Sequence, residues 1–127
     1  MIDTIGKISY NMWVFLPQKT TLMNDLEQIL HTLEDMKSVD VTCIHVADMT
    51  SITENMIIVT GNNTRHTRSI MNALLDLAPN LSSSKPRIEG DDHCEWILVH
   101  FGDVIVHIML PHTRSYYALE KLWSKDI

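Results

Sequence analysis

The chain has 127 residues, 45% hydrophobic and 20% charged, a composition that suits one globular domain with a single core. A formal net charge of −6 argues against a protein that grips phosphate backbones, because Lys and Arg carry that binding, and favours a basic protein as partner. The two cysteines, Cys43 and Cys94, are too few for a disulfide scaffold, and no apolar run approaches the ~18 residues of a membrane-spanning helix.

Along the chain, the first apolar run is MWVFL, Met12 to Leu16, closed by Pro17. It is too short for a signal-peptide core, and no small-residue cleavage site follows; it reads as a short strand or an apolar flap. Residues 21–36 carry Leu22, Leu26, Ile29, Leu30 and Leu33 at the spacing of one helix face, with Thr20 or Thr21 placed to cap it. Residues 40–47 read as a strand between Asp40 and Asp48. Met56 to Thr60 is a short buried-type strand. Gly61-Asn62-Asn63 is a turn cluster, in which Gly61 is expected to supply a positive φ. Thr64 is then expected to cap a helix reaching about Leu77, with Ile70, Met71, Leu74 and Leu75 inward and Pro79 ending it. Residues 79–94 are mostly loop, with a short strand at Arg87-Ile88-Glu89.

The next stretch, Glu95 to His107, reads EWILVHFGDVIVH. Gly102-Asp103 is a two-residue hairpin signal. With that loop, Phe101 lies opposite Val104, His100 opposite Ile105 and Leu98 opposite His107. Period-two alternation puts Ile97, Val99, Phe101, Val104, Val106 and Ile108 on one apolar face. Trp96, Leu98, His100, Ile105, His107 and Met109 share the other, a mixture suited to a covered or binding surface. Pro111-His112-Thr113 opens a final helix with Tyr116, Leu119, Leu122 and Trp123; the last three are expected to anchor it to the sheet. Interspersed helices and strands ending in a hairpin predict a single-domain α/β fold, a mixed β-sheet with helices packed on it.

Catalytic and metal chemistry finds little support. No i, i+2 acid pair follows Gly61 on a strand, and Asp91-Asp92 would point apart in extended chain. Gly61 belongs to no phosphate-loop pattern. His100 and His107 share a face as diagonal neighbours, but no third ligand is placed beside them. No cofactor is expected.

Taken together, the blocks Asp40-Val41 with Val46 and Asp48, Ile57 to His66 (IIVTGNNTRH), Glu89-Gly90, the hairpin, and Arg114 with Tyr117 to Trp123 (YALEKLW) resemble the ribosomal silencing factor family, also called Iojap-like, over roughly residues 21–124. The resemblance implies a nucleotidyltransferase-like topology and a domain over 21–127 behind an N-terminal extension, 1–20. It implies a non-enzymatic cytoplasmic factor that binds the large ribosomal subunit at its protein number fourteen and sterically blocks small-subunit joining. The acidic charge implies little direct nucleic-acid contact and the lack of a long apolar run no membrane, while the resemblance also suggests self-association as a homodimer. The rival is a metal-dependent nucleotidyltransferase-like enzyme with rearranged acids. The partner-binding residues expected on this basis are Trp96, Leu98, His100, Asp103, His107, Arg114 and Tyr117, with Trp96 as anchor, since Trp, Tyr and Arg dominate interface energetics. The chain departs from the family pattern at His100 and Asn55, where acids are usual, and at Asn63-Thr64, where small hydroxyl residues are. Loss of an acid at His100 would alter attraction to a basic partner.

Overall fold

The computed structural model of the chain describes residues 7–8, 23–82 and 85–123. The run Met12–Leu16 and the candidate caps Thr20 and Thr21 lie outside them. Strand β1 is Lys7–Ile8, followed by α1 (Asp25–Asp35), β2 (Val39–His45), β3 (Asn55–Thr60) and α2 (Thr64–Leu77). After a 3-10 turn at Ala78–Asn80 come β4 (Arg87–Glu89), β5 (Trp96–His100), β6 (Val104–Met109), α3 (Pro111–Tyr117) and α4 (Leu119–Leu122).

Local chemistry sets the helix starts. Asn24 caps α1: its side chain accepts from the Glu27 N–H at 2.8 Å, and Glu27 Oε1 accepts from the Asn24 N–H at 3.2 Å. This reciprocal capping box satisfies two otherwise orphaned donors, so the helix begins at Asp25 rather than next to Thr21. Asn63, not Thr64, caps α2, accepting from the His66 N–H at 2.9 Å. His66 then ties the two helices together. Its Nδ1 accepts from the Asn62 N–H at 2.9 Å and its Nε2 donates to the Met36 carbonyl at 2.8 Å.

The six strands form one sheet in the order β1-β2-β3-β6-β5-β4. Every neighbouring pair is antiparallel except β3 and β6, which run parallel. The hairpin register is the expected one, with Leu98 opposite His107 and His100 opposite Ile105. Gly102 takes φ 88, as a two-residue turn with glycine first requires. Near its start β2 has an irregular register between Val39 and Thr42, where Asp40 adopts φ 50.

The sheet divides the core in two. On the first face, Ile29 and Leu33 of α1 and Ile70 and Leu74 of α2 pack over Cys43, Ile57, Ile97, Val99, Val106 and Ile108. All of these are essentially inaccessible, and each large aliphatic contributes about 1.5–3 kcal/mol by leaving water. On the second face, Ile44, Val46, Met56, Ile58 and Met109 are covered by Trp96, Leu119 and Trp123. The cysteines are free and buried, and burial pushes the Cys43 thiol up to about 12.

The C-terminal helix is not continuous: Ala118 takes the left-handed conformation, φ 47 and ψ 50, and separates α3 from α4. The break turns Leu119 and Trp123 onto the second cluster but leaves Leu122 67% exposed, so Leu122 is no anchor. Gly61 does not have a positive φ; among the described residues Gly90 and Gly102 are the glycines that do. What Gly61 supplies is room. A Cβ there would sit 2.6 Å from Thr67 Cγ2 and 3.1 Å from Thr67 N. Thr67 cannot yield, being fully buried with its hydroxyl 2.6 Å from the Cys94 carbonyl. Gly61→Ala is therefore expected to destabilise the fold by about 1–3 kcal/mol through overpacking, read as a lower urea midpoint at unchanged m-value; an unchanged midpoint would show that the helix start shifts freely.

Candidate functional site

Cover on the second face thins from the centre of the sheet to its β4 edge. Every residue of β6 is buried. In β5 burial alternates: Ile97 and Val99 are buried on the first face, while Trp96, Leu98 and His100 on the second remain partly exposed. Next to them on β4, Arg87 pairs with His100 and Glu89 with Leu98, and both are exposed. The result is a half-open strip along β5, about 13 Å from Trp96 to His100 at 3.3 Å per residue.

Aromatic side chains build up one end of the strip. Trp96 and Tyr117 have ring centroids 4.6 Å apart at 48°. Tyr116 meets Tyr117 edge-on at 5.0 Å. Trp96 is half-buried, whereas Tyr117 is 52% and Tyr116 81% exposed. Such ring pairs contribute about 0.5–1.5 kcal/mol beyond the area they bury, enough to hold a patch that still faces solvent. The other end is the hairpin tip, where the His100 ring lies 3.1 Å from the Gly102 carbonyl. Asp103 is exposed there, and its carbonyl accepts from the Glu54 and Asn55 N–H groups at 3.1 and 3.0 Å.

The expected site residues thus separate into three groups. Trp96, Leu98 and Tyr117 form the aromatic-apolar part of the strip, and His100 and Asp103 its polar end. His107 and Arg114 face inward. His107 is 6% exposed and lies beneath Trp96, whose Nε1–H donates to His107 Nδ1 at 2.9 Å. Arg114 has a side chain only 11% exposed. It donates to the Asp40 carbonyl, Thr60 Oγ1, Thr42 Oγ1 and Glu120 Oε2 at 2.7–3.3 Å. Tyr116 and Leu122, expected only as residues of the final helix, are additions to the exposed surface. Leu122 follows the break at Ala118, and Tyr116 lies on the outer side of α3 before it. Among the described residues no three His, Cys, Asp or Glu side chains come together as a metal-holding group, and no helix is long and apolar enough to cross a membrane.

Among the described residues, a mixed six-stranded sheet covered by long helices on one side and incompletely by short ones on the other defines a small α/β domain with an aromatic-rimmed open face. The sequence model of the family described as "Ribosomal silencing factor during starvation" matches residues 19–127, and the chain belongs to that family. A Chromobacterium violaceum protein named ribosomal silencing factor RsfS is 35% identical over 95 residues, 75% of this chain and 78% of that one. A mouse protein named "Mitochondrial assembly of ribosomal large subunit protein 1" is 33% identical over 103 residues, which span 79% of this chain and 45% of the mouse protein. A crystal structure of a protein from Chromobacterium violaceum superposes with a TM-score of 0.71 at 34% identity, covering 75% of this chain and 79% of that one.

The layer beneath the strip has a pH signature. Burial lowers the His107 pKa from 6.5 to about 4. Between those values the unfolded chain binds a proton that the folded chain does not, so stability rises with pH across that window. Stability is full above about pH 7 and declines as pH falls toward 4. From pH 7 to 5 this group should remove about 2 kcal/mol. His107→Gln keeps an acceptor for the Trp96 indole and should flatten that part of the profile. Urea midpoints of both proteins over this range check it; parallel profiles would mean that His107 titrates normally.

Proposed function

We propose that this protein binds the large ribosomal subunit at its protein number fourteen and, by occupying that surface, sterically prevents the small subunit from joining, which lowers translation. The reading places it in the cytoplasm as a stoichiometric binding factor, with no bond made or broken. Family membership supports it, as does the name of the mouse relative, which refers to the large subunit. The observation that carries it is the strip of Trp96, Leu98 and His100 with Tyr116 and Tyr117 at its end, a sheet face left open where the short C-terminal helices stop. Aromatic anchors on a partly apolar surface are the composition of an interface centre. A net charge of −6 complements a basic ribosomal protein and favours fast encounter.

Trp96→Ala should weaken both binding and folding, because Trp96 also covers the second core cluster. Tyr117 separates the two effects. At 52% exposure, Tyr117→Ala should lower stability by no more than ~1 kcal/mol while weakening large-subunit binding by about 2 kcal/mol, roughly thirtyfold. Sedimentation with separated subunits at physiological salt measures it. Wild-type protein should travel with large subunits and not with small ones; protein left at the top of the gradient with large subunits would overturn the reading.

A further inference from the structure

We infer that Arg114 is a positioning residue for the partner-binding face, acting through Tyr117 and Trp96, and not a contact with the partner. This rests on the partner-binding reading above. A guanidinium has five N–H donors in a planar fork and no acceptor. Here the whole fork is engaged inside the protein. Nη1 donates to the Asp40 carbonyl at 2.7 Å and to Thr60 Oγ1 at 2.9 Å. Nη2 donates to Thr42 Oγ1 at 3.0 Å and to Glu120 Oε2 at 3.2 Å, and Nε to the same Glu120 oxygen at 3.3 Å. With the side chain 11% exposed, no donor is left for an acidic group on a partner.

The fork's partners explain what it is for. Asp40 and Thr42 flank the irregular start of β2, Thr60 ends β3, and Glu120 lies in α4. Arg114 therefore fastens α3 to two strands and to the next helix. Helix α3 needs such a fastening. It has seven residues, and Thr113 is its only buried one, so hydrophobic packing does little to fix its rotation, and a helix this short is not stable alone. Tyr117 lies three residues beyond Arg114, on a neighbouring position of the same helix surface. Rotation of α3 would carry Tyr117 off Trp96, 4.6 Å away. Lysine could not replace the fork: an ammonium is a point charge and cannot reach several fixed acceptors in one plane. A contact role makes the opposite demand, since there the charge matters and lysine should serve.

The test combines Arg114→Lys, Arg114→Gln and Glu120→Gln with two readouts. The first is the Trp96 indole N–H resonance in the free protein, identified by its loss in Trp96→Phe. The second is affinity for large subunits at two salt concentrations. Arg114→Lys should move the Trp96 resonance, although Arg114 does not touch Trp96, and should lower affinity at least tenfold with the salt dependence unchanged. Glu120→Gln should move the same resonance in the same direction by less, and it decides the matter if Arg114→Lys does not fold. Lysine restoring the affinity lost in Arg114→Gln, or a Trp96 resonance unmoved in both Arg114→Lys and Glu120→Gln, would overturn the inference. Tyr117→Ala separates this from failure of the face itself. If Tyr117→Ala binds normally, the face reading falls and the inference with it. If Tyr117→Ala binds weakly while Arg114→Lys binds as wild type, only the positioning role falls.

Discussion

The parallel pairing of β3 with β6 is the constraint on which the rest depends. Both strands are buried almost throughout, so the sheet must be covered on both sides. A parallel neighbour also needs a long crossover, and the chain supplies it with α2, β4 and β5 between the two strands. On the first face, helices of 11 and 14 residues extend across the sheet. On the second, the chain after β6 provides helices of only 7 and 4 residues. Leu119 and Trp123 pack on the second cluster, and Tyr117 reaches Trp96, while Leu98 and His100 stay partly exposed. The open strip follows from this difference in cover.

The margin of that cover is held mainly by polar groups. Trp96 bridges core and surface: its ring closes the second cluster, its Nε1–H bonds to His107, and its exposed side carries Tyr117. Because His107 Nδ1 accepts from the indole, the neutral ring carries its proton on Nε2. That Nε2 is buried and has no hydrogen-bond partner among the described residues. A second proton on the ring would turn the Nδ1 acceptor into a donor facing a donor. The floor of the strip is thus tied to a neutral imidazole, and its edge to the Arg114 fork.

Much of the fold was legible because it rests on local periodicity. Alternation along β5 and β6 with Gly102-Asp103 between them determined register and faces together, since a one-residue slip would have exposed every apolar side chain. The short β4 strand and the extent of α2 were legible for similar reasons. The capping box at Asn24 and Glu27 was also present in the sequence, as Asn-x-x-Glu, but the apolar pattern drew the helix start toward the preceding threonines. Three features could not be read locally. Nothing near Ala118 signals a left-handed break, because alanine is the best helix former. His100 and His107 look alike on a strand, and only the placement of Trp96 and the neighbouring strands makes one partly exposed and the other buried. Apart from Glu120, the acceptors of Arg114, on Asp40, Thr42 and Thr60, lie 54 to 74 residues away, so most of what turns it inward is tertiary structure.

Exclusion of one subunit by a factor seated on the other is most directly tested by light scattering during subunit association. Factor titrated onto large subunits before mixing should reduce joining in proportion to its amount, reaching full inhibition near one per large subunit. Excess small subunit should relieve the block, and factor added to assembled ribosomes should have little effect. Inhibition by substoichiometric factor that added small subunit does not rescue would contradict steric exclusion and indicate a catalytic inhibitor instead.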